Sequence, residues 1–208
     1  MEYFAYLLKQ RLPSLFSFIE KVARVVVKVR YGGRITSAEN DSLVEGSIND
    51  STAQMRALRT NDVSDLKRFL DDLPLDWLRY FRPHSFETKT LIDVVNSRAF
   101  LNYGLFVDGC LQGYALLKIA PTGCAFIGLL VHPDLSGRGL GRFIVEYLYW
   151  QASLAGLRTL STISRLNLAS LRSHEAVSKY KIVADLPNDF IMIEFPFEAR
   201  FRPKLHTR

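Results

Sequence analysis

Three consecutive apolar runs constrain the fold of this chain more than any other feature. They cover residues 103–107, 110–119 and 124–131. Asp-Gly at 108–109 separates the first two runs and is a strong signal for a tight hairpin turn, and Pro-Thr-Gly at 121–123 separates the last two. The sequence therefore predicts an antiparallel meander of three strands.

Helical and strand-like patterns surround the meander on both sides. A chain of 208 residues has room for one ordinary core with some additional material. The predicted order is a strand at 54–59, a helix capped by Asn61-Asp62, a helix at 87–97, the meander, a helix at 139–155, a strand at 159–164, a helix at 167–177, and strands at 182–184 and 190–197. This order predicts an α/β (α+β) domain built around the antiparallel meander.

Residues 1–50 are predicted to form an extension of the core domain. Apolar residues recur at three- and four-residue steps from Tyr3 to Val22, as in an amphipathic helix kinked at Pro13. The β-branched run at 24–30 fits a strand as well, and small and polar residues predict a linker over 33–52. The core domain then covers 51–198, and a basic tail covers 199–208.

The positive charge of the chain is concentrated at its two ends. The formal net charge is +6, yet residues 35–198 hold more acidic than basic side chains. A domain with a basic face that binds the phosphate backbone of DNA or RNA is therefore not expected, and nucleic acid is excluded as a partner. For the basic helix within residues 1–30 two partners stay open, a second copy in a homodimer and a membrane surface.

The sequence predicts a cytoplasmic protein with free thiols. The apolar stretch at 12–29 is interrupted by four charged residues, so it is too short to span a bilayer, and no signal peptide is recognised. Cys110 and Cys124 lie at distant points of one predicted hairpin, which argues against a disulfide. Both are expected to be buried. No Cys, His or carboxylate cluster has the spacing of metal ligands, so no metal is predicted.

The segment 131–142 carries the clearest chemical signal. A strand ends in Val131-His132-Pro133, and Ser-Gly-Arg-Gly-Leu-Gly follows at 136–141 and opens a helix. Glycines allow the backbone to approach a phosphate, and the free amides of a helix N-terminus attract it. No Lys-Ser/Thr pair follows, so this is not a Walker loop, and the preceding meander argues against a dinucleotide-binding βαβ unit. The sequence predicts an anion-binding loop.

This segment resembles the signature of the GCN5-related N-acetyltransferases, which is Val-x-Pro followed by Gln/Arg-x-x-Gly-x-Gly/Ala. Ser136 stands where the family has Gln or Arg. Asn167 and Ser170 resemble the family's Asn-x-x-Ser/Ala pattern at the start of a later helix. The resemblance covers about residues 54–197. It implies a mixed, mostly antiparallel sheet, flanked by helices, whose fourth and fifth strands splay apart to form a V for the pantetheine arm.

The resemblance implies an N-acyltransferase that transfers acetyl from acetyl-CoA (coenzyme A) to a primary amine by direct attack in a ternary complex. The Leu130 amide would stabilise the oxyanion. The family's acidic base on the fourth strand is missing, because 126–130 contains no acid. The cofactor-binding residues implied are Leu129, Leu130, Val131, Ser136, Gly137, Arg138, Gly139, Leu140, Gly141, Arg142, Asn167 and Ser170.

Three side chains are candidate catalytic residues. His174 stands seven residues after Asn167, where the family often has a Tyr that protonates the thiolate, and imidazole is able to donate a proton. Tyr180 is the substitute acid, because Ser-Lys-Tyr replaces the family's Gly-Phe at 178–180. His84 falls where the family walls its acceptor site, so it could bind substrate or act as base. Purely structural roles stay open for both histidines.

The expected acceptor is a small-molecule amine, either a metabolite or an amino sugar. Arg79 and Arg82 could bind an anionic group of such an acceptor, although arginines are more often solvated. Trp77, Tyr80 and nearby aromatics fit an acceptor pocket or a core. Amino acids, polyamines and protein N-termini stay open as acceptors. The alternative function is a non-catalytic acyl-CoA sensor or interaction module with the same fold.

Overall fold

The structure is a computed structural model that describes residues 13–207, with the side chains of residues 21–206. Its helices are α1 (Pro13–Asn40), α2 (Val63–Asp71), α3 (Thr88–Val95), α4 (Leu140–Leu154) and α5 (Leu168–Glu175). Its strands are β1 (Val44–Ile48), β2 (Ser51–Ala57), β3 (Phe100–Val107), β4 (Cys110–Ile119), β5 (Cys124–Val131), β6 (Arg158–Ser164), β7 (Lys181–Leu186), β8 (Phe190–Glu194) and β9 (Leu205–Thr207).

The predicted meander is confirmed. Strands β3, β4 and β5 pair antiparallel in sequence order. Asp108 and Gly109 both have positive φ, 47° and 79°, as a two-residue hairpin turn with the right twist requires. Cys124 is buried at the start of β5, but Cys110 is exposed, so the expectation of two buried thiols is wrong for Cys110, which directly follows this surface turn.

The nine strands form one mixed, mostly antiparallel sheet, which confirms the predicted fold class. Their order is β7-β8-β6-β5-β4-β3-β2-β1-β9, and only the pairs β5–β6 and β1–β9 are parallel among the described strands. Strands β5 and β6 pair only over residues 124–127 and 158–161. Beyond that point they separate. Because β1 precedes the predicted first strand, the splayed pair is the fifth and sixth in this chain.

The predicted linker at 33–52 is wrong. Helix α1 continues through Gly32 and Gly33 to Asn40, and β1 then pairs with β2. Glycine weakens a helix by only about 1 kcal/mol, and Tyr31 and Ile35 on either side are buried in the core. The run at 24–30, which also fitted a strand, is helical. The amphipathic pattern at residues 1–12 lies outside the described residues.

The predicted tail at 199–208 contains a strand of the sheet. β9 pairs parallel with β1, and Leu205 is buried opposite Gly46. A Cβ at Gly46 would meet the Leu205 carbonyl oxygen at 1.7 Å, so only glycine allows this approach. The hairpin β1–β2 therefore crosses the boundary predicted at residue 50.

Helix α4 is the central helix of the domain. Ten of its fifteen residues are buried. The Tyr147 hydroxyl donates to the carbonyl of Ser42 at 2.6 Å, and Tyr103 on β3 donates to Gln151 Oε1 at 2.9 Å. Helices α1 and α5 both pack against α4. Of the helices within residues 13–207, none combines the length and apolar character needed to cross a bilayer.

Candidate functional site

A cleft of about 700 Å³ opens where β5 and β6 separate. One wall is β5, the other is β6 with the start of α5, and the glycine-rich loop closes one end. Side chains from the segment between α2 and α3 line the other side. The splay of the sheet thus creates the cleft, and the loop predicted to bind an anion lies in its wall.

The glycine loop presents free amides to the cleft. Gly137 and Gly139 both have φ of 77°, a left-handed conformation that favours glycine, and a Cβ at either position would meet nothing within 4 Å. The first hydrogen bond of α4 runs from the Phe143 amide to the Gly139 carbonyl. The amides of 140–142 therefore have no partner within the helix. Open space beside free N–H groups fits a pyrophosphate.

Gly141 has a different role from the other two glycines of the loop. A Cβ at this position would lie 2.7 Å from the hydroxyl oxygen of Ser173 on α5. Gly141 therefore allows α4 and α5 to approach each other. Arg142 and Arg172 line the cleft nearby and add positive charge, whereas the Arg138 side chain is not among the lining groups.

The register of β5 determines which of its amides face the cleft. Ala120 donates to Cys124 and His132 donates to Gln112, at the two ends of an unshifted β4–β5 ladder. Bonded and non-bonded pairs alternate in an antiparallel ladder. The Leu130 amide is therefore directed at its β4 partner Tyr114. The amides of its neighbours at 129 and 131 point to the open side, and the carbonyl of 131 accepts from the Trp77 indole at 2.7 Å.

Asn167 caps α5 with one end of its amide. Its Oδ1 accepts from the Ser170 N–H at 3.1 Å, which leaves its Nδ2 group to donate elsewhere. Both residues line the cleft. This geometry fits the hydrogen bond to the pantetheine arm that the resemblance implies for Asn167.

His174 lies in the cleft wall with one nitrogen unpaired. Its side chain is buried, and its Nδ1–H donates to the Ser170 carbonyl at 2.8 Å. Nε2 has no hydrogen-bond partner among the described residues. Burial lowers the pKa of His174 to about 4. The ring is therefore uncharged at neutral pH, and its Nε2 accepts rather than donates.

Tyr180 and His84 lie outside the cleft lining. Tyr180 donates to Glu175 Oε1 at 3.3 Å, and burial raises its pKa. His84 faces inward, where its Nδ1–H donates to the Ser85 carbonyl at 2.9 Å and its Nε2 lies 2.9 Å from the Tyr114 hydroxyl. Burial lowers the pKa of His84. Of the three candidate catalytic residues, the structure brings only His174 into the cleft.

The sequence interpretation missed Asp76. It is the only carboxylate among the described residues that line the cleft, and Trp77, Tyr80 and Phe81 line it beside Asp76. The prolines at 74 and 83 marked this segment as irregular, but no periodic pattern indicated which side chains turn inward. Arg79 and Arg82 are not among the lining residues. Within residues 13–207, no group of His, Cys, Asp and Glu is arranged to hold a metal ion.

Comparisons with known proteins agree on one family. The family model described as Acetyltransferase (GNAT) family matches residues 66–178. The [ribosomal protein bS18]-alanine N-acetyltransferase of Salmonella typhimurium is 28% identical over 109 residues, which cover 51% of this chain and 73% of that enzyme.

Solved structures show the same fold. The GNAT domain of S. lividans PAT superposes with a TM-score of 0.65 at 16% identity, covering 74% of this chain and 97% of that domain. The yncA protein of Salmonella typhimurium, solved with its cofactor acetyl-CoA, superposes with a TM-score of 0.58 at 17% identity, covering 74% and 99%.

Proposed function

Because this chain belongs to the acetyltransferase (GNAT) family and its acyl donor is acetyl-CoA, we propose that its acceptor is the α-amine of a protein N-terminus. The chain is an acetyl-transferring enzyme, so the acyl-CoA sensor is not retained as its function. The observation that carries the proposal is the cleft at the β5–β6 splay, which has an anion-binding loop on one side and a carboxylate with three aromatic rings on the other.

The residues of the cleft fit acetyl-CoA. We assign the pyrophosphate to the free amides of the glycine loop, with Arg142 and Arg172 offsetting its charge. The pantetheine arm would lie along the free edge of β5 and accept from Asn167 Nδ2. When bound, acetyl-CoA supplies a thioester carbon that a neutral amine attacks. Holding both reactants in one cleft supplies much of the acceleration.

The free edge of β5 also supplies the oxyanion donor in this proposal. The Leu130 amide is occupied by the ladder, so we assign the role to its neighbours Leu129 and Val131, whose amides point to the open side. A preorganised amide that already faces the cleft needs no rearrangement to meet the developing negative charge.

Asp76 and His174 are the proton-exchanging groups of the proposal. Asp76 would attract the acceptor ammonium and take a proton from it, which fills the role left vacant on β5. His174 presents an unprotonated Nε2 to the cleft, so it acts as acid towards the thiolate only after it has taken up a proton. Tyr180 and His84 remain predictions without support from the cleft geometry.

Three observations support a protein N-terminus over a small metabolite or amino sugar. The matching relative from Salmonella is named for the alanine of a ribosomal protein. The groups that favoured a small anionic acceptor, Arg79, Arg82 and His84, are not among the residues that line the cleft. Trp77, which lines the cleft and is 39% exposed, instead gives it an apolar edge that suits a peptide chain.

The test is an acceptor panel with acetyl-CoA. Peptides with a free N-terminal Ala, Ser or Met would be compared with the same peptides blocked at Nα and carrying a lysine, and with glucosamine, spermine and free alanine. Coenzyme A release and mass spectrometry would report the rate and the acetylated nitrogen. We expect Nα acetylation of the free peptides. Turnover of the small amines without the peptides would reject the proposed acceptor but leave the enzyme class intact.

A further inference from the structure

The outward face of α1 carries an apolar stripe. Four valines are between 38% and 82% exposed on this helix: Val22, Val25, Val26 and Val29. Their spacing of three and four residues places them on one face. With 100° between successive residues, this face is opposite the one that packs into the core, which carries Val27, Tyr31, Ile35 and Ala38.

Cations border the stripe on both sides. Lys21 and Lys28 follow one border and Arg30 follows the other, whereas Arg24 and Arg34 lie nearer the core-facing side of the helix. All five are exposed, and residues 21–34 contain no Asp or Glu. None of the five forms an ion pair with a side chain that the structure describes. Arg30 and Arg34 lie over the Tyr31 ring. Four exposed valines with cations on both sides, and no carboxylate among them, suit a partner that is both apolar and anionic.

The combination of an apolar stripe and bordering cations distinguishes between the partners of α1 that the sequence left open. A second copy of the same face would bring its own cations against these cations, which disfavours a dimer through α1. A nucleic acid would match the charges but not the valines. An anionic lipid surface matches both, because valines enter the boundary between headgroups and acyl chains while Lys and Arg side chains extend to the headgroups.

We propose that α1 docks the enzyme on an anionic membrane surface, lying flat with the valine stripe facing the lipid. The helix does not cross the bilayer, which agrees with the absence of a spanning helix within residues 13–207. The acetyl-transfer cleft is built from other elements, so this inference does not depend on which amine is acetylated.

The test is co-sedimentation of the full chain with vesicles. Vesicles of phosphatidylcholine alone would be compared with vesicles that also contain phosphatidylserine, at low and at raised salt. We expect binding only to the anionic vesicles and a decrease with salt. Lys28→Gln should weaken binding roughly fivefold, since one cation near an anionic leaflet contributes about that factor. Val25→Ser with Val29→Ser should weaken it by at least about tenfold.

Matched controls use the far edge of the sheet. Ile182→Ser with Val183→Ser removes two exposed β-branched side chains from β7, and Lys179→Gln removes an exposed cation. These controls should bind vesicles like the unmodified chain. Thermal shifts with acetyl-CoA would show that every variant is folded.

Three outcomes would overturn the proposal. The first is no binding to phosphatidylserine vesicles. The second is equal binding by the valine variant and the unmodified chain, which would place lipid contact elsewhere. The third is a dimer in sedimentation that Val25→Ser with Val29→Ser disrupts, which would make a second copy the occupant.

Discussion

His174 Nδ1 lies 2.8 Å from the carbonyl oxygen of Ser170, one helical turn earlier. Because a carbonyl only accepts, this contact keeps the proton on Nδ1 and leaves Nε2 as the nitrogen without a partner. The helix that carries the residue thus selects its tautomer. A histidine at this position therefore differs from a tyrosine, whose hydroxyl always has a proton to donate at neutral pH.

The buried His174 should make stability depend on pH. Its pKa is about 4 in the folded chain against an ordinary value of 6.5. Between these values the unfolded chain binds more protons, so its free energy of unfolding is highest above pH 6.5 and falls as pH decreases towards 4, by about 3 kcal/mol from this group.

Urea titrations across this range would measure the effect. His84 has a pKa lowered in the same direction, so the comparison that counts is between the unmodified chain and His174→Gln. The variant should have the shallower pH dependence, whatever its absolute stability. Identical slopes would contradict the assignment.

Gly139→Val should impair acetyl-CoA binding directly. The left-handed φ of 77° costs a β-branched residue about 1–2 kcal/mol, and the new side chain fills the space beside the free amides. We expect the Kd for acetyl-CoA to rise by at least about tenfold. Gly33→Ala is the control, because Gly33 lies in a helix with nothing near its Cβ, and this change should stabilise the chain by about 0.5–1 kcal/mol without altering the Kd.

Asp76→Asn should separate acceptor chemistry from cofactor binding. If Asp76 takes the proton of the acceptor amine, kcat/KM for a peptide acceptor should fall by about 10²-fold with the Kd for acetyl-CoA unchanged. Asp93→Asn, an exposed carboxylate on α3, is the matched control. Steady-state coenzyme A release and calorimetry would measure the two quantities. A normal kcat/KM in Asp76→Asn would remove the residue from the mechanism.

Tyr114→Phe should reduce stability rather than catalysis. The hydroxyl is buried, lies 2.9 Å from His84 Nε2 and donates to Asn102 Oδ1 at 2.8 Å. Its loss leaves Asn102 Oδ1 without its donor, which costs about 2 kcal/mol. Urea unfolding would report the loss, and kcat measured below the unfolding range should be unchanged. A large decrease in kcat with normal stability would return His84 to the list of catalytic residues.

The parts of the fold that follow local rules could be predicted from the sequence. The Asp108-Gly109 turn determines where β3 ends and β4 begins, and the observed β4 and β5 have the predicted bounds. The small and polar residues over 33–52 suggested a linker because composition is visible in the sequence, whereas the burial of Tyr31 and Ile35 against distant elements is not.

The candidate site likewise contains some residues that could be predicted from the sequence and others that could not. The position of the glycine loop in the cleft wall could be predicted because its glycines alternate at 137, 139 and 141 and adjoin a helix start. Asp76 could not, because it lies in an irregular segment where no period determines the direction of a side chain. His84 was expected near substrate, but it is half-buried outside the cleft lining, where its Nδ1–H donates to the Ser85 carbonyl and its ring lies beside the Tyr114 hydroxyl.

The pairing of β9 with β1 determines when, during synthesis, the outer edge of β1 is protected from pairing with another chain. Strand β1 is synthesised early, but among the described residues its outer edge pairs only with β9, which is made long afterwards. Until then the nascent sheet presents an unpaired strand edge, which is a template for association with another chain. Strand β9 thus covers an edge of a sheet whose other described strands are made before it, and removal of β9 would leave that edge unpaired for the lifetime of the protein.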